Sequence, residues 1–303
     1  MLTRQGSERE LAHRRWRLVL LVAGVLLSAL LVAIGVARIM TGSHYLPRVL
    51  LWREADVGDY RRFPARTVRA APAPYQYPRG PGYPGSDPRL QNVMVARNGK
   101  QEDRSLADLL QSTGTTAFLV IHKDQLVYET YLNGYNRDSV QTSFSMAKSY
   151  VSALVGIAIE EGHIRGVDDP VTRYVPELAR RDRRFARITI GDLLSMRSGI
   201  HYEETGTPWG DDARTYYDPN LRRLALEGTR IEGEPGRRFL YNNYHPLLLG
   251  LVLERATGEP AGEYLEEKLW RPLGMEADGS WSLDSTSDGF EKMESGINGR
   301  AID

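Results

Sequence analysis

Ser143-Phe-Ser-Met-Ala-Lys-Ser149 places a hydroxyl, Ser145, three residues ahead of an amine, Lys148. Residues i and i+3 share one face of a helix, so the two side chains meet if the segment is helical. The run that follows, Tyr150-Val-Ser-Ala-Leu-Val-Gly-Ile-Ala-Ile159, is almost wholly apolar, and Glu160-Glu-Gly162 closes it with a glycine suited to a helix C-terminus. Apolar residues on all sides predict a helix buried in a domain. Ser145 then lies in its first turn, where unpaired N–H groups favour developing negative charge. A serine alcohol attacks a carbonyl only when a base takes its proton. A lysine is that base only when desolvation or its neighbours keep the amine neutral. The spacing alone is weak, because a chain of this length carries a Ser-x-x-Lys by chance, so the pair needs partners elsewhere.

Those partners follow in Gly236-Arg-Arg-Phe-Leu-Tyr-Asn-Asn-Tyr-His245. Tyr241-Asn242-Asn243 precedes an amphipathic stretch, residues 244–256, that reads as a helix stopped by Gly258. A phenol beside a lysine relays a proton, and an asparagine amide holds both the lysine and a substrate carbonyl. Tyr131-Leu-Asn133 repeats the Tyr-x-Asn spacing within an expected strand. The 241–243 copy is preferred because it lies in a loop at a helix start, after the Ser145 helix. Tyr216 and Tyr217 are expected to line the substrate pocket from a polar, aromatic loop, residues 201–220, over a cleft. Asp211-Asp212 and Glu203-Glu204 read as solvated loop charges, and His201 and His245 as structural histidines.

The elements that must position these groups can be read in outline. Residues 116–122 and 125–131 form two strands joined by a Lys123-Asp124 turn, and this hairpin delivers the chain to the Ser145 helix. Residues 105–110, 188–195 and 261–269 read as further helices. Before residue 103 the chain changes character. Residues 18–37 carry no charge over 20 residues, enough to span about 30 Å of hydrocarbon as a helix. A cleaved signal peptide would have a shorter apolar core. Arg14, Arg15 and Arg17 precede this stretch, so the positive-inside rule keeps residues 1–17 in the cytoplasm and exports the rest. The expectation is a single-pass protein of the inner membrane with a periplasmic domain. Residues 38–102 read as a stalk, since Pro64, Pro72, Pro74, Pro78, Pro81, Pro84 and Pro88 rule out long regular elements. Gly80-Pro-Gly82-Tyr-Pro-Gly85 matches a dinucleotide-binding pattern only formally, because no strand precedes it and two spacer positions are proline.

Composition bounds the rest. The 39 Lys and Arg residues balance 39 Asp and Glu, so nothing points to a nucleic-acid partner. With no cysteine, disulfides, thiolate catalysis and cysteine-bound zinc are excluded. No histidine pair has metal spacing, and neither cofactor nor metal is expected. No Gly-x-Ser-x-Gly elbow is present, against an α/β-hydrolase.

From about residue 103 the chain resembles the serine β-lactamase and penicillin-binding-protein superfamily, in its class C branch of esterases and 6-aminohexanoate-oligomer hydrolases. Besides Ser-Met-Ala-Lys and Tyr-Asn-Asn, the resemblance rests on Gly166-Val-Asp-Asp-Pro-Val171, Ile190-Gly-Asp-Leu-Leu-Ser-Met-Arg-Ser-Gly-Ile200, Glu234-Pro-Gly236, Leu249-Gly-Leu-Val-Leu-Glu-Arg-Ala-Thr-Gly258 and Trp270-Arg-Pro-Leu-Gly-Met275, in this order. It implies an α/β (α+β) fold in residues 103–303, a helical domain beside an antiparallel sheet flanked by helices. It also implies an acyl-serine intermediate on Ser145, proton transfer by Lys148 and Tyr241, Asn243 holding Lys148 and the substrate carbonyl, and the Ser145 N–H as an oxyanion donor. The substrate is then a small molecule or peptide-like compound with an amide, ester or β-lactam bond. One family feature is not found: no Lys/His-Ser/Thr-Gly strand follows Tyr241. The expectation is therefore a C-terminally truncated domain with an incomplete sheet. The alternatives are a noncatalytic cell-envelope or peptidoglycan-binding homologue, or an inactive fragment.

Overall fold

A computed structural model describes residues 2–41, 45–52, 54–85, 91–97, 99–286 and 289–303. Pro88 lies outside the described residues, as does the side chain of Arg14. The chain forms two compact units, one of residues 1–54 with 217–219, the other of residues 55–216 and 220–303.

The first unit holds α1 (Leu2–Thr41) and α2 (Tyr45–Trp52). Residues 15–35 of α1 are long and apolar enough to cross a membrane, a test that a signal sequence also passes. Their leucines and valines are exposed, as is Trp16. Tyr217 belongs to this unit, its ring edge-on to Trp52 and its carbonyl accepting from Arg48.

The second unit contains β1 (Ala65–Val68), β2 (Asn92–Arg97), β3 (Lys100–Ser105), α3 (Leu106–Ser112), β4 (Ala117–His122), β5 (Gln125–Tyr131), β6 (Val140–Thr142), α4 (Ala147–Glu160), α5 (Pro176–Arg181), α6 (Ile190–Leu194), α7 (Asp211–Tyr217), the single turn α8 (Leu221–Arg223), α9 (Tyr244–Thr257), α10 (Ala261–Leu265), β7 (Gly279–Ser282) and β8 (Ile297–Arg300). The last residue of α7, Tyr217, is the one that groups with the first unit. Four strands form an antiparallel sheet in the order β1-β7-β8-β6, while β2-β3 and β4-β5 are separate hairpins. The β4-β5 turn is built as read: Lys123 and Asp124 both have positive φ, 51° and 57°, the backbone that joins two strands with the correct twist.

The expected stalk is corrected by the sheet. Residues from 55 onward belong to the second unit, and β1 pairs with β7 from Ala65↔Ser282 to Val68↔Gly279. Four residues between Pro64 and Pro72 are enough for an edge strand, where proline beside the ladder is tolerated. The prolines limit the length of the elements here without excluding them.

The core forms where α4 meets α9. Ala147, Val151, Leu154, Val155 and Ala158 of α4 are fully buried, as are Leu247, Leu248 and Val252 of α9. Trp270, Trp281, Phe290 and Met293 join the same cluster from the sheet side. The two indoles are buried with their N–H groups satisfied, Trp270 on the Ala277 carbonyl and Trp281 on the Lys292 carbonyl. Burial of α4 on its core face matters for the chemistry, because its exposed N-terminal end carries Ser145.

Candidate active site

Strand β6 leads directly into the site. Thr142 pairs with Asn298 of β8, and the next residue, Ser143, donates its N–H to the Ile297 carbonyl at 2.8 Å. The chain then turns sharply through Phe144, whose φ of 50° lies in the left-handed region. A bulky residue there costs about 1–3 kcal/mol and persists only when its surroundings dictate it. A single 3₁₀ turn, Phe144–Met146, carries Ser145, and α4 begins at Ala147. The expected geometry of a serine at a helix start is therefore present, with a strained residue immediately before it. Ser145 is exposed and Lys148 is half-buried.

The Lys148 Nζ lies 2.9 Å from Ser145 Oγ and 2.9 Å from the carbonyl oxygen of Glu294, to which it donates. It also lies over the face of the Tyr241 ring, 4.9 Å from the centroid. Among the described residues no carboxylate forms an ion pair with Lys148. Its contacts are an alcohol, a carbonyl and an aromatic face. Tyr241 is 44% exposed.

Asn243 differs from the expectation. Its amide nitrogen donates to the Tyr202 hydroxyl at 2.8 Å and to Thr215 Oγ1 at 3.2 Å, so both amide protons are used away from Lys148. Its Oδ1 is buried and has no hydrogen-bond partner among the described residues. The neighbouring Asn242 is the structural one. Fully buried, it donates to the Ile200 carbonyl at 3.1 Å and accepts from the Tyr244 N–H at 2.8 Å, which fixes the 241–243 loop against the 200–202 segment.

Tyr216 and Tyr217, expected in a loop, lie instead on α7. Tyr216 donates its hydroxyl to Asp59 Oδ2 at 2.7 Å and takes Lys292 Nζ over its ring at 4.1 Å. Tyr217 is buried. Asp211, read as a solvated charge, is also corrected: it is 7% exposed and accepts from the Glu203 N–H at 2.9 Å and the Tyr244 hydroxyl at 2.8 Å.

Three further groups belong to this neighbourhood. Tyr202 is buried, and burial raises its phenol well above the usual range. Burial, and then the bond to Asp211, do the same for Tyr244. Both therefore remain protonated donors at neutral pH. Glu294 is 1% exposed, its carbonyl turned to Lys148. No spacing in the sequence distinguishes Tyr202 or Glu294. Only the β6-β8 register brings Glu294 to a lysine 146 residues earlier in the chain. His245 is the structural histidine expected: it is buried, with Nε2 2.6 Å from Ser198 Oγ and Nδ1 2.9 Å from the Met196 sulfur. A thioether has no proton to give, so Nδ1 carries the hydrogen and Nε2 accepts from Ser198. Burial lowers its pKa to about 3.

Comparison with known proteins fits this geometry. Residues 103–298 match the model of the beta-lactamase family. The chain belongs to the beta-lactamase family. It is 28% identical over 254 residues to a 6-aminohexanoate-dimer hydrolase of Paenarthrobacter ureafaciens, a match covering 80% of this chain and 62% of the relative. It is 34% identical over 150 residues to esterase EstB of Burkholderia gladioli, covering 44% of this chain and 37% of the relative. The chain thus spans less than two thirds of the length of either relative. The fold is similar to that of a Bacillus anthracis protein described as a candidate 6-aminohexanoate-dimer hydrolase, with a TM-score of 0.68 at 23% identity over 84% of this chain and 66% of that one. The family read from these segments is thus the family of residues 103–298, and the mixed helix and sheet architecture is its fold.

Proposed function

We propose that this protein is a serine hydrolase of the beta-lactamase family that cleaves an amide or ester bond of a small or peptide-like substrate through an acyl-Ser145 intermediate. The observation that carries the reading is the 2.9 Å contact between Lys148 and an exposed Ser145, with no carboxylate paired to the amine among the described residues. The contacts of Lys148 among the described residues are an alcohol, a carbonyl and a ring face, with no ion pair. The Glu294 carbonyl takes one N–H, which leaves the lone pair of the neutral amine free to face the Ser145 hydroxyl. Lys148 accepts that proton as Oγ bonds to the substrate carbonyl carbon. The new oxyanion meets the Ser145 N–H at the helix start. As the bond to the leaving group breaks, the proton passes to the leaving amine or alcohol by way of Tyr241, whose ring lies against Lys148. Water then enters by the same relay in reverse, releasing the acid and the free serine.

The names of the two relatives cover one amide and one ester substrate, which supports both bond types without choosing between them. The exposed apolar face of α1 supports a membrane anchor, since in water those side chains would form a large unpaired apolar patch. With Arg15 and Arg17 before the span, the second unit lies on the periplasmic side. Turnover of p-nitrophenyl esters and short amides by the full chain, compared with Ser145→Ala, tests the activity. Hydrolysis that disappears in the variant is the expected result. Equal turnover by a folded Ser145→Ala variant would overturn the assignment.

A further inference from the structure

The turn of residues 292–296 places two groups of opposite charge in the interior beside the candidate catalytic lysine. Lys292 and Glu294 are 2% and 1% exposed, with Lys292 Nζ 3.0 Å from Glu294 Oε1. The same carboxylate oxygen accepts from Ser295 Oγ at 2.6 Å. Lys292 is further held by the Tyr216 carbonyl and by the rings of Tyr216 and Phe63, with Nζ 4.1 and 4.6 Å from their centroids. Its main chain is pinned as well: its N–H donates to Ser282, and its carbonyl accepts from the Trp281 indole and the Gly296 N–H. Gly296 admits no side chain, because a Cβ would lie 2.8 Å from that carbonyl. What the turn presents to Lys148 is the main-chain carbonyl of Glu294 at 2.9 Å.

A buried ion pair of this kind rarely adds stability over an apolar pair of the same size, because removing two charges from water costs about as much as their attraction returns. Its use here is geometric. A glutamate offers a lysine either a carboxylate, which would hold the amine as an ammonium, or a carbonyl, which leaves it free to become neutral. Resting on the functional reading above, we propose that Lys292 and Glu294 are positioning residues for Lys148: Lys292 holds the Glu294 carboxylate back, so that the carbonyl alone faces the amine. Further groups among the described residues face this cluster. Lys148 meets Ser145 from its own helix start, Tyr241 from the loop and Glu294 from the turn. Lys292 is also felt by the Asp284 carboxyl, and Glu294 by the Tyr202 phenol. Asp59 lies one bond further out, on the Tyr216 hydroxyl.

The test measures the Lys148 amine directly in the full chain, by competitive acetylation with acetic anhydride across pH and peptide mass spectrometry. It therefore does not depend on turnover. Lys292→Met frees the Glu294 carboxylate and should raise the midpoint of Lys148 by about one pH unit or more, lowering kcat at neutral pH about tenfold with KM little changed. Glu294→Gln removes the Glu294 charge and keeps the Lys292 cation, and should lower the midpoint. The double variant Lys292→Met/Glu294→Gln should restore it to within a few tenths of a unit. Thermal melts confirm which variants fold, and if Lys292→Met does not, the downward shift in Glu294→Gln decides. Folded single variants with the wild-type midpoint and kcat would overturn the proposal. Wild type that shows no Ser145-dependent turnover would refute the hydrolase reading, while the Lys148 midpoints would still report on the pair.

Discussion

His245 sets a limit on how far this fold can be acidified. The ring is 1% exposed and has no room for a second proton, because Nδ1 faces the Met196 sulfur and Nε2 accepts from Ser198, which also accepts the Ile200 N–H. Desolvation lowers the folded pKa from 6.5 to about 3. The sign follows directly. Above pH 6.5 the ring is neutral in both folded and unfolded chains and contributes no pH dependence. As pH falls below 6.5, the unfolded chain binds a proton that the folded chain refuses, so stability is lost until about pH 3. At about 1.4 kcal/mol for each pH unit in that window, the loss from this one residue is about 2 kcal/mol between pH 7 and pH 5. Other carboxylates and histidines add their own slopes, so the difference against His245→Gln is the useful quantity. Glutamine can keep a hydrogen bond to Ser198 and does not titrate. Urea unfolding of the full chain in mild detergent, followed by the fluorescence of buried Trp270 and Trp281, should show wild type losing about 2 kcal/mol more than His245→Gln over that interval. Parallel stabilities from pH 7 to pH 5 would show that the ring is solvated or protonated in the folded state, and would refute the reasoning.

Three further outcomes are expected. Tyr241→Phe keeps the ring against Lys148 and removes only the hydroxyl, so steady-state kinetics should show kcat down by about 10²–10⁴-fold with KM little changed. Gly199→Ala puts a Cβ 2.3 Å from the Gly233 carbonyl at a residue with φ of 75°, and should destabilise the protein by about 3 kcal/mol, read as a thermal midpoint about 10 °C lower. Deleting residues 1–40 should move the protein from the membrane to the soluble fraction in cell fractionation, since the exposed apolar face of α1 goes with them.

What could be read in the sequence was local. The apolar run after Lys148 predicts a helix, and α4 forms there, but with only one face buried, since Ser152, Ala153 and Gly156 are exposed; the i, i+3 spacing sets Ser145 beside Lys148 across the 3₁₀ turn that precedes it. The β4-β5 turn and the αL stop at Gly258 were legible for the same reason: their chemistry lies in one or two adjacent residues. Pairings across long separations were not legible. β1 looked like linker because its four residues have no partner until β7, more than 200 residues later, is aligned beside them. Glu294 looked like one acidic residue among many, and only the path of β8 past β6 turns its carbonyl to Lys148. Asn243 and Asp211 were misplaced in a related way. The residue types were right for polar work, but the partners that occupy them, Tyr202, Thr215 and Tyr244, come from segments whose folding the local pattern does not reveal. Tyr216 and Tyr217 were assigned to a loop because residues 201–220 read as polar and aromatic, which masks the short helix within them.

The central claim is that Lys148 makes Ser145 reactive, and covalent labelling of the full chain tests it most directly. After incubation with a fluorophosphonate or penicillin probe, peptide mapping should place a single adduct on Ser145, absent in Ser145→Ala and formed at least about 10²-fold more slowly in a folded Lys148→Met variant. An adduct elsewhere, or one that forms on Ser145 at the same rate without the lysine, would contradict it.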